Sequence, residues 1–405
     1  MPVSTDIIVI GSGGLGSATA FYLSRVSNLH VTLIDRHAIG SQTSPRAAGM
    51  VSCLRKSPAM IDLVRNACGK IETFAETVGE PLDWVHSGSL KIARRPEDAE
   101  VLVADVERGQ RAGLDVEQIT VEEACRRHPF LQPDGIVAAI WIGEDRYFDP
   151  AQVAVGYARA AARQGVEVLP ETAVLSVDVD GGRVRGVVTS RGTIECPVVV
   201  DAAGAWTREI AALGGIDLPL VPTRQQLIVT EPLAGAAATL PMVRIMAAAV
   251  SLRPCHGGFL GGVYEETPLF FDLNARDSLR DIKAMPLDID VLKAAAADVF
   301  RQAPILTQAA VREFRGGIPT MTADGQHCLG PVPGIEGFYV ASGCNVAGLS
   351  IAPALGEALA TWIVDGTPPI DLSSMSISRF AAQRHSETEL RQLAAWQYRH
   401  FYGAV

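Results

Sequence analysis

Ile7-Ile8-Val9-Ile10-Gly11-Ser12-Gly13-Gly14-Leu15-Gly16, then residues 17–25, then Val31-Thr32-Leu33-Ile34-Asp35: this stretch decides the fold. The first apolar run is β-branched and short, which predicts a strand. The glycines recur at the G-x-G-x-x-G spacing, residues 17–25 are helix-compatible, and the second apolar run ends in an acid. Gly11 permits the tight turn, Gly13 lets the backbone approach a pyrophosphate, and Gly16 lets helix and strand pack closely. The helix N-terminus offers unpaired N–H groups to phosphate. Asp35, 19 residues past Gly16, is placed for a ribose hydroxyl. A lone glycine motif is weak evidence. Strand, helix and terminal acid together point to a bound dinucleotide, and the aspartate disfavours a 2′-phosphate. The motif by itself leaves NAD and FAD both open.

The 405 residues predict two domains or one large composite. A net charge of −10 argues against nucleic acid as a partner. No apolar run reaches the roughly 18 residues of a membrane span. The first strand begins so early that no signal peptide is expected. The 7 cysteines are scattered with no C-x-x-C pair, so reduced thiols, a cytoplasmic location and no metal site are expected.

Outward from the motif, Gly40-Ser41-Gln42-Thr43-Ser44-Pro45-Arg46-Ala47-Ala48-Gly49 is small and polar, a loop able to lie along a flat ring. Ser57-Pro58 opens a helix. Residues 85–93 and 136–142 read as strands around a surface helix at 96–112 and a capping box at Thr120. Asp149-Pro150 caps a helix to about residue 164, and Asp180-Gly181-Gly182 joins two strands as a hairpin. Residues 197–201 read as a buried strand running into Ala202-Ala203-Gly204-Ala205-Trp206. Strand candidates at 225–230, 250–253, 258–264 and 308–314 lack helical crossovers, so they are assigned to an antiparallel sheet with a helix at 288–300. Residues 337–343 form a strand reaching a second glycine turn, with a helix expected from about residue 351 to 364. The tail, 386–402, has helical periodicity with Trp396, Tyr398, Phe401 and Tyr402, and is read as a docked packing helix.

With these pieces in order, the chain resembles the D-amino-acid-oxidase superfamily of flavoproteins, and within it the dimethylglycine dehydrogenase and sarcosine oxidase group. The glycine motif with Asp35, Ser44-Pro45-Arg46-Ala47-Ala48-Gly49, Asp201-Ala202-Ala203-Gly204-Ala205-Trp206, Leu252-Arg253-Pro254 before Gly261-Gly262-Val263-Tyr264-Glu265, Thr322-Ala323-Asp324, and Ala341-Ser342-Gly343 with residues 348–357 carry the resemblance, over residues 5–400. It implies an α/β fold: a Rossmann-like FAD-binding domain with a second α+β domain built on an antiparallel sheet. The expected division is 1–81, 149–222 and 320–405 for the FAD-binding domain, and 82–148 and 223–319 for the substrate domain.

The resemblance implies non-covalent FAD. Gly11, Ser12, Gly13, Gly14, Leu15 and Gly16 would hold its ADP half with Asp35 and Arg36, and Val174 would touch the adenine side. Thr43, Ser44, Arg46, Ala47, Ala48 and Gly49 would follow the ribityl chain and ring, with Ala203, Gly204 and Trp206 nearby. Gly343, Gly348, Leu349 and Ser350 would approach the pyrimidine edge. The histidine that dimethylglycine dehydrogenases join to flavin is matched here by Arg46, and the cysteine of the monomeric sarcosine oxidases by a position near Gly317. The oxygen-activating lysine of those oxidases has no counterpart in Phe259-Leu260-Gly261, which favours a dehydrogenase over an oxidase. Full-length dimethylglycine dehydrogenases continue into a folate-binding domain near where this chain stops. A demethylation would then release free formaldehyde.

Flavin amine oxidation needs little acid–base equipment from the protein, so no catalytic side chain is named. A carboxylate-bearing substrate calls for an arginine. Arg253 is the first candidate, with a structural ion pair as its competing role, and Arg55 is the second. His256, in a turn, and Tyr264 are further candidates. The leading expectation is oxidation of a secondary or N-methylated amino acid of sarcosine, dimethylglycine or proline type to an imine. A hydroxy-acid dehydrogenase, or a flavin subunit of a multi-component amine dehydrogenase with a partner subunit, are the alternatives. The electron acceptor, oxygen or a protein or quinone, stays open.

Overall fold

Ile7 and Val9 point into one hydrophobic cluster while Ile8 and Ile10 point into another, the period-two signature of a strand covered on both faces. The computed structural model describes residues 3–26, 28–273, 279–380 and 385–402. In it, Ile7–Ile10 lies inside a six-stranded sheet ordered Cys328–Pro331, Phe338–Ser342, Val198–Asp201, Ile7–Ile10, Val31–Ile34, Glu167–Leu169. All ladders are parallel except the one that adds Cys328–Pro331 at the edge. That edge strand was not anticipated.

Helices Gly14–Val26, Gly348–Asp365 and Pro150–Arg163 pack on the face that buries Ile7 and Val9. Gly14–Val26 and Gly348–Asp365 approach closely at Gly356, where a Cβ would lie 2.6 Å from that of Ala18. The other face is covered by the meander Val174–Asp180, Arg183–Thr189, Gly192–Glu195 and by the helix Glu387–Arg399. The hairpin at Asp180-Gly181-Gly182 forms as expected, with both glycines at positive φ.

The second large sheet has eight strands, ordered Val311–Gly317, Gln225–Thr230, Gly258–Val263, Val250–Cys255, Met242–Ile245, Ser89–Ala93, Ala138–Ile142, Val116–Ile119. The sequence reading of an antiparallel sheet needs correcting at one ladder. Met242–Ile245 runs parallel to Ser89–Ala93 and splices the two sequence-distant halves of the sheet together. Met242–Ile245 was missed because Arg244 sits at its centre. The arginine is tolerated there because its Nη1 donates to Asp145 Oδ2 at 2.9 Å and Ser89 Oγ at 2.8 Å, so the buried charge is paired. Val116–Ile119 was missed because it is a short edge strand with two exposed polar residues. Residues 304–308 form a 3₁₀ turn, and the strand expected at 308–314 spans Val311–Gly317 instead. Among the described residues, no helix is long and apolar enough to cross a membrane.

Candidate active site: a cavity between two glycine turns

The strand Ile7–Ile10 ends in Gly11 at φ +101°, and a Cβ there would lie 2.4 Å from the Ala202 carbonyl oxygen. Only glycine fits both constraints. Gly16 is required in turn by Gly11: its Cβ would sit 1.9 Å from the Gly11 carbonyl oxygen. The turn is thereby pressed against Ala202 and Ala203, and the N-terminus of Gly14–Val26 opens onto a cavity with Gly11, Gly13, Gly14 and Leu15 on its wall. Ser12 and Gly16 lie behind that wall.

Asp35 also lines the cavity. Its Oδ2 accepts from the Ser12 N–H and hydroxyl, and its Oδ1 from the His37 N–H at 2.8 Å. The Asp35 carbonyl accepts from the Thr172 N–H at 2.8 Å, which brings Val174 to the same end. Arg36 reaches in beside them, 6.0 Å from the Trp206 ring, with Nη1 buried and unpartnered. This end suits an adenosine: a fixed carboxylate for the sugar, a guanidinium and apolar walls.

The loop from Thr43 to Gly49 follows the cavity inward. Ser44 Oγ accepts from the Gly14 N–H at 3.0 Å, and Thr43 Oγ1 accepts from the Ile318 N–H at 3.2 Å. These bonds close the loop over the cavity between the first glycine turn and the second sheet. A Cβ on Gly317 would come within 2.8 Å of Thr43 Cγ2, so a cysteine side chain does not fit there without displacing the loop.

The far end is the second glycine turn. Gly343 leads at φ +64° into Asn345 and Val346, both at positive φ, which is costly for a β-branched valine. Asn345 holds the strained turn: its Oδ1 accepts from the Thr322 N–H at 3.0 Å and its Nδ2 donates to the Gly343 carbonyl at 2.7 Å. The helix begins at Gly348, not near residue 351, so Gly348, Leu349 and Ser350 form its first turn on the cavity wall. Gly343 stands just outside the lining residues.

Beyond this turn, Arg55, Arg244, Ser251, Gly262 and Tyr264 border the remaining space. Arg55 is the distinctive group. Its Nη2 is 3.4 Å from Ser350 Oγ and its Nε is buried with no partner. Among the described residues no carboxylate pairs with it. Burial, and next the neighbouring Arg244, push its pKa down, while Asp145 opposes that shift. Arg253 is elsewhere. Its Nε donates to the Ala48 carbonyl and its Nη1 to the Pro254 carbonyl, so it braces the loop from behind. His256 is an exposed turn residue at φ 50°, away from the cavity. The sequence reading missed Gln225, Arg244, Phe401 and Tyr402 as lining residues. Only the last two carried a signal, an aromatic pair just past the last helical turn.

The whole cavity therefore runs from the fixed Asp35 carboxylate, past a glycine turn and a small-residue loop, to a helix N-terminus and the half-buried Arg55 guanidinium. These residues fit FAD in that orientation. Among the described residues no cluster of side chains could hold a metal.

Comparison with known proteins agrees. The family described as FAD dependent oxidoreductase matches residues 6–362. Mouse (Mus musculus) mitochondrial sarcosine dehydrogenase is 28% identical over 395 residues, 96% of this chain and 42% of that protein. Sarcosine oxidase subunit beta of Rhodobacter capsulatus is 24% identical over 370 residues, 90% of this chain and 86% of that subunit. The crystal structure of L-proline dehydrogenase from P. horikoshii superposes with a TM-score of 0.85 at 24% identity, covering 95% of this chain and all of that one. The chain spans about half the length of the first curated relatives it matches.

Proposed function

From its membership of the FAD-dependent oxidoreductase family, we propose that this chain oxidises the C–N bond of a secondary or N-methylated amino acid. Arg55 carries the reading. Its guanidinium lines the cavity that fits FAD with Nε buried, and among the described residues no carboxylate pairs with it. The neighbouring Arg244 is already neutralised by Asp145, so one positive charge at this end awaits an anion. A substrate carboxylate on Arg55, with Ser350 Oγ beside it, supplies that anion through charge-assisted hydrogen bonds.

FAD, when bound, supplies the two-electron acceptor. The chain positions the substrate. With the carboxylate fixed on Arg55, a C–H on a carbon bonded to the nitrogen can be aimed toward the space that FAD would fill. The hydride leaves as the nitrogen lone pair forms C=N, and the released imine hydrolyses to an amine and a carbonyl compound. The first turn of Gly348–Asp365 presents a positive helix end to the cavity, which would offset negative charge on reduced FAD. Relatives named as sarcosine dehydrogenase, dimethylglycine dehydrogenase and 4-methylaminobutanoate oxidase support an N-methylated substrate.

The test is anaerobic mixing of FAD-loaded protein with sarcosine, dimethylglycine, proline and matched hydroxy acids. Bleaching of the oxidised flavin by an amine supports the reading, and bleaching only by hydroxy acids refutes it. A second reading, a flavin subunit acting with partners, is favoured by the match to most of the length of sarcosine oxidase subunit beta. Activity that appears only with an added subunit would support it.

A further inference from the structure

Glu387–Arg399 begins with a full capping box. Ser386 Oγ accepts from the Glu389 N–H, and the Glu389 carboxylate accepts from the Ser386 N–H at 2.9 Å. Its buried face ends at Tyr398. The Tyr398 hydroxyl donates to Gln225 Oε1 at 2.5 Å, with the Arg224 carbonyl 3.1 Å away. Gln225 Nε2 donates to the Val263 carbonyl at 2.8 Å, and Gln225 lines the cavity. The helix is thus moored to the cavity's own wall, beyond what a packing helix requires.

The mooring delivers Phe401 and Tyr402 into the cavity. The Phe401 ring stacks on Tyr264 at 4.7 Å and 15°, and Tyr402 meets Tyr264 edge-on at 5.2 Å and 85°. Phe401 and Tyr402 are themselves edge-to-face at 5.3 Å. Three rings make a corner. Ser251 and Gly262, on neighbouring strands, line the same cavity and add little bulk: a Cβ on Gly262 would meet Leu227 Cδ2 at 2.8 Å. Tyr264 feels both Arg55 and Arg244, which counter the upward pull of burial on its hydroxyl. Arg55 and the three rings all line one cavity.

We propose that Phe401 and Tyr402, with Tyr264, form the subsite for the nitrogen substituent of the substrate, so that the tail selects N-methylated or cyclic secondary amino acids over primary ones. The proposal rests on Arg55 as the carboxylate anchor. A carboxylate fixed there leaves the nitrogen substituent to extend away from it. Aromatic faces and edges attract a methyl group on a polarised nitrogen. One methyl in an apolar pocket discriminates by roughly 10–200-fold. A primary amine leaves the corner unfilled.

The test uses FAD-loaded wild type, the Phe401→Ala/Tyr402→Ala double variant and Tyr402→Phe, with FAD content and thermal melting recorded for each. Acetate and methoxyacetate are inert carboxylates differing by a methoxy arm whose methyl would fill the corner, and calorimetry gives their Kd. Wild type should bind methoxyacetate at least about 10-fold tighter than acetate. The double variant should bind the two alike with acetate unchanged, and Tyr402→Phe should keep the wild-type ratio. With substrates, the KM for an N-methyl amino acid should rise about 10-fold in the double variant relative to the parent primary amino acid. If the double variant fails to fold or loses FAD, Tyr402→Leu replaces it, and the ratio should fall there too. A wild type without preference, or a well-folded variant that keeps it, overturns the proposal. A wild type that prefers methoxyacetate but is reduced by no amine would refute the amine-oxidising function while leaving the subsite standing.

Discussion

Ser12 holds Asp35 with two donors on one oxygen: its backbone N–H at 2.7 Å and its hydroxyl at 2.6 Å both reach Oδ2. With the His37 N–H on Oδ1, the carboxylate plane is fixed. Pre-organisation of this kind lowers the ordering cost of binding. Asp35→Ala should weaken FAD binding by roughly 10–100-fold, the worth of a hydrogen bond to a charged group. Ser12→Ala, which keeps the backbone donor, should weaken it less. Titration of apoprotein with FAD, followed by quenching of flavin fluorescence, gives both numbers. An Asp35→Ala protein with wild-type affinity would remove the ribose assignment.

Arg55 joins binding and stability with opposite signs. A guanidinium with Nε buried and no counter-ion among the described residues is costly to fold. Arg55→Met should therefore raise the melting temperature of the substrate-free protein while raising substrate KM by about 100-fold or more, with Arg55→Lys between the two. Loss of stability with an unchanged KM would mark Arg55 as structural.

The first glycine turn was legible because its constraints are local: Gly11, Gly16 and Ala202 exclude side chains within a few ångströms of one another. The second turn was located from Gly343 and Gly348, but the helix start was placed late, because cavity-lining Leu349 and Ser350 carry no cap signal of their own. The arginines show where sequence reading stops. Arg253 and Arg55 look alike in the chain. What separates them is that Arg253 finds two carbonyls and Arg55, among the described residues, finds none, a fact of tertiary packing. Arg244 hid a strand because the Asp145 that pairs with it lies 99 residues away. Phe401 and Tyr402 have the same apolar character whether they pack a helix or wall a pocket. Only the mooring of Tyr398 on Gln225 decides it.

Two histidines should make the protein acid-labile well above the carboxylate range. His327 is buried with both ring nitrogens unpartnered, and burial, aided by Arg55 and Arg379, lowers its pKa from 6.5 to about 3. Burial lowers that of His128 to about 4. Between 6.5 and those values the unfolded chain takes up protons that the folded chain refuses, so stability is lost as pH falls through that window. Each histidine contributes a slope of up to about 1.4 kcal/mol per pH unit. Urea midpoints measured from about pH 7 to about pH 5 should fall steeply in wild type and by about one proton less in His327→Leu. Equal slopes would show that His327 is protonated in the folded state.

Arg253 braces the cavity-lining loop at Ala48. Its Nε donates to the Ala48 carbonyl, its Nη1 lies 2.7 Å from the Pro254 carbonyl, and its guanidinium sits 4.8 Å from the Tyr147 ring centroid. Ala48 lines the cavity, so the arginine reaches the cofactor site only through the backbone it holds. Arg253→Ala leaves that carbonyl unsatisfied at a cost of about 1–3 kcal/mol. FAD affinity and melting temperature should both drop, yet once the variant is saturated with FAD its substrate KM should stay within about 2-fold of wild type. A substrate anchor would give the reverse pattern, with FAD binding intact and a large rise in KM. Measuring FAD affinity and KM on the same preparation separates the two roles, and Arg253→Lys, which keeps the charge but loses the fork between the two carbonyls, should resemble Arg253→Ala more than wild type.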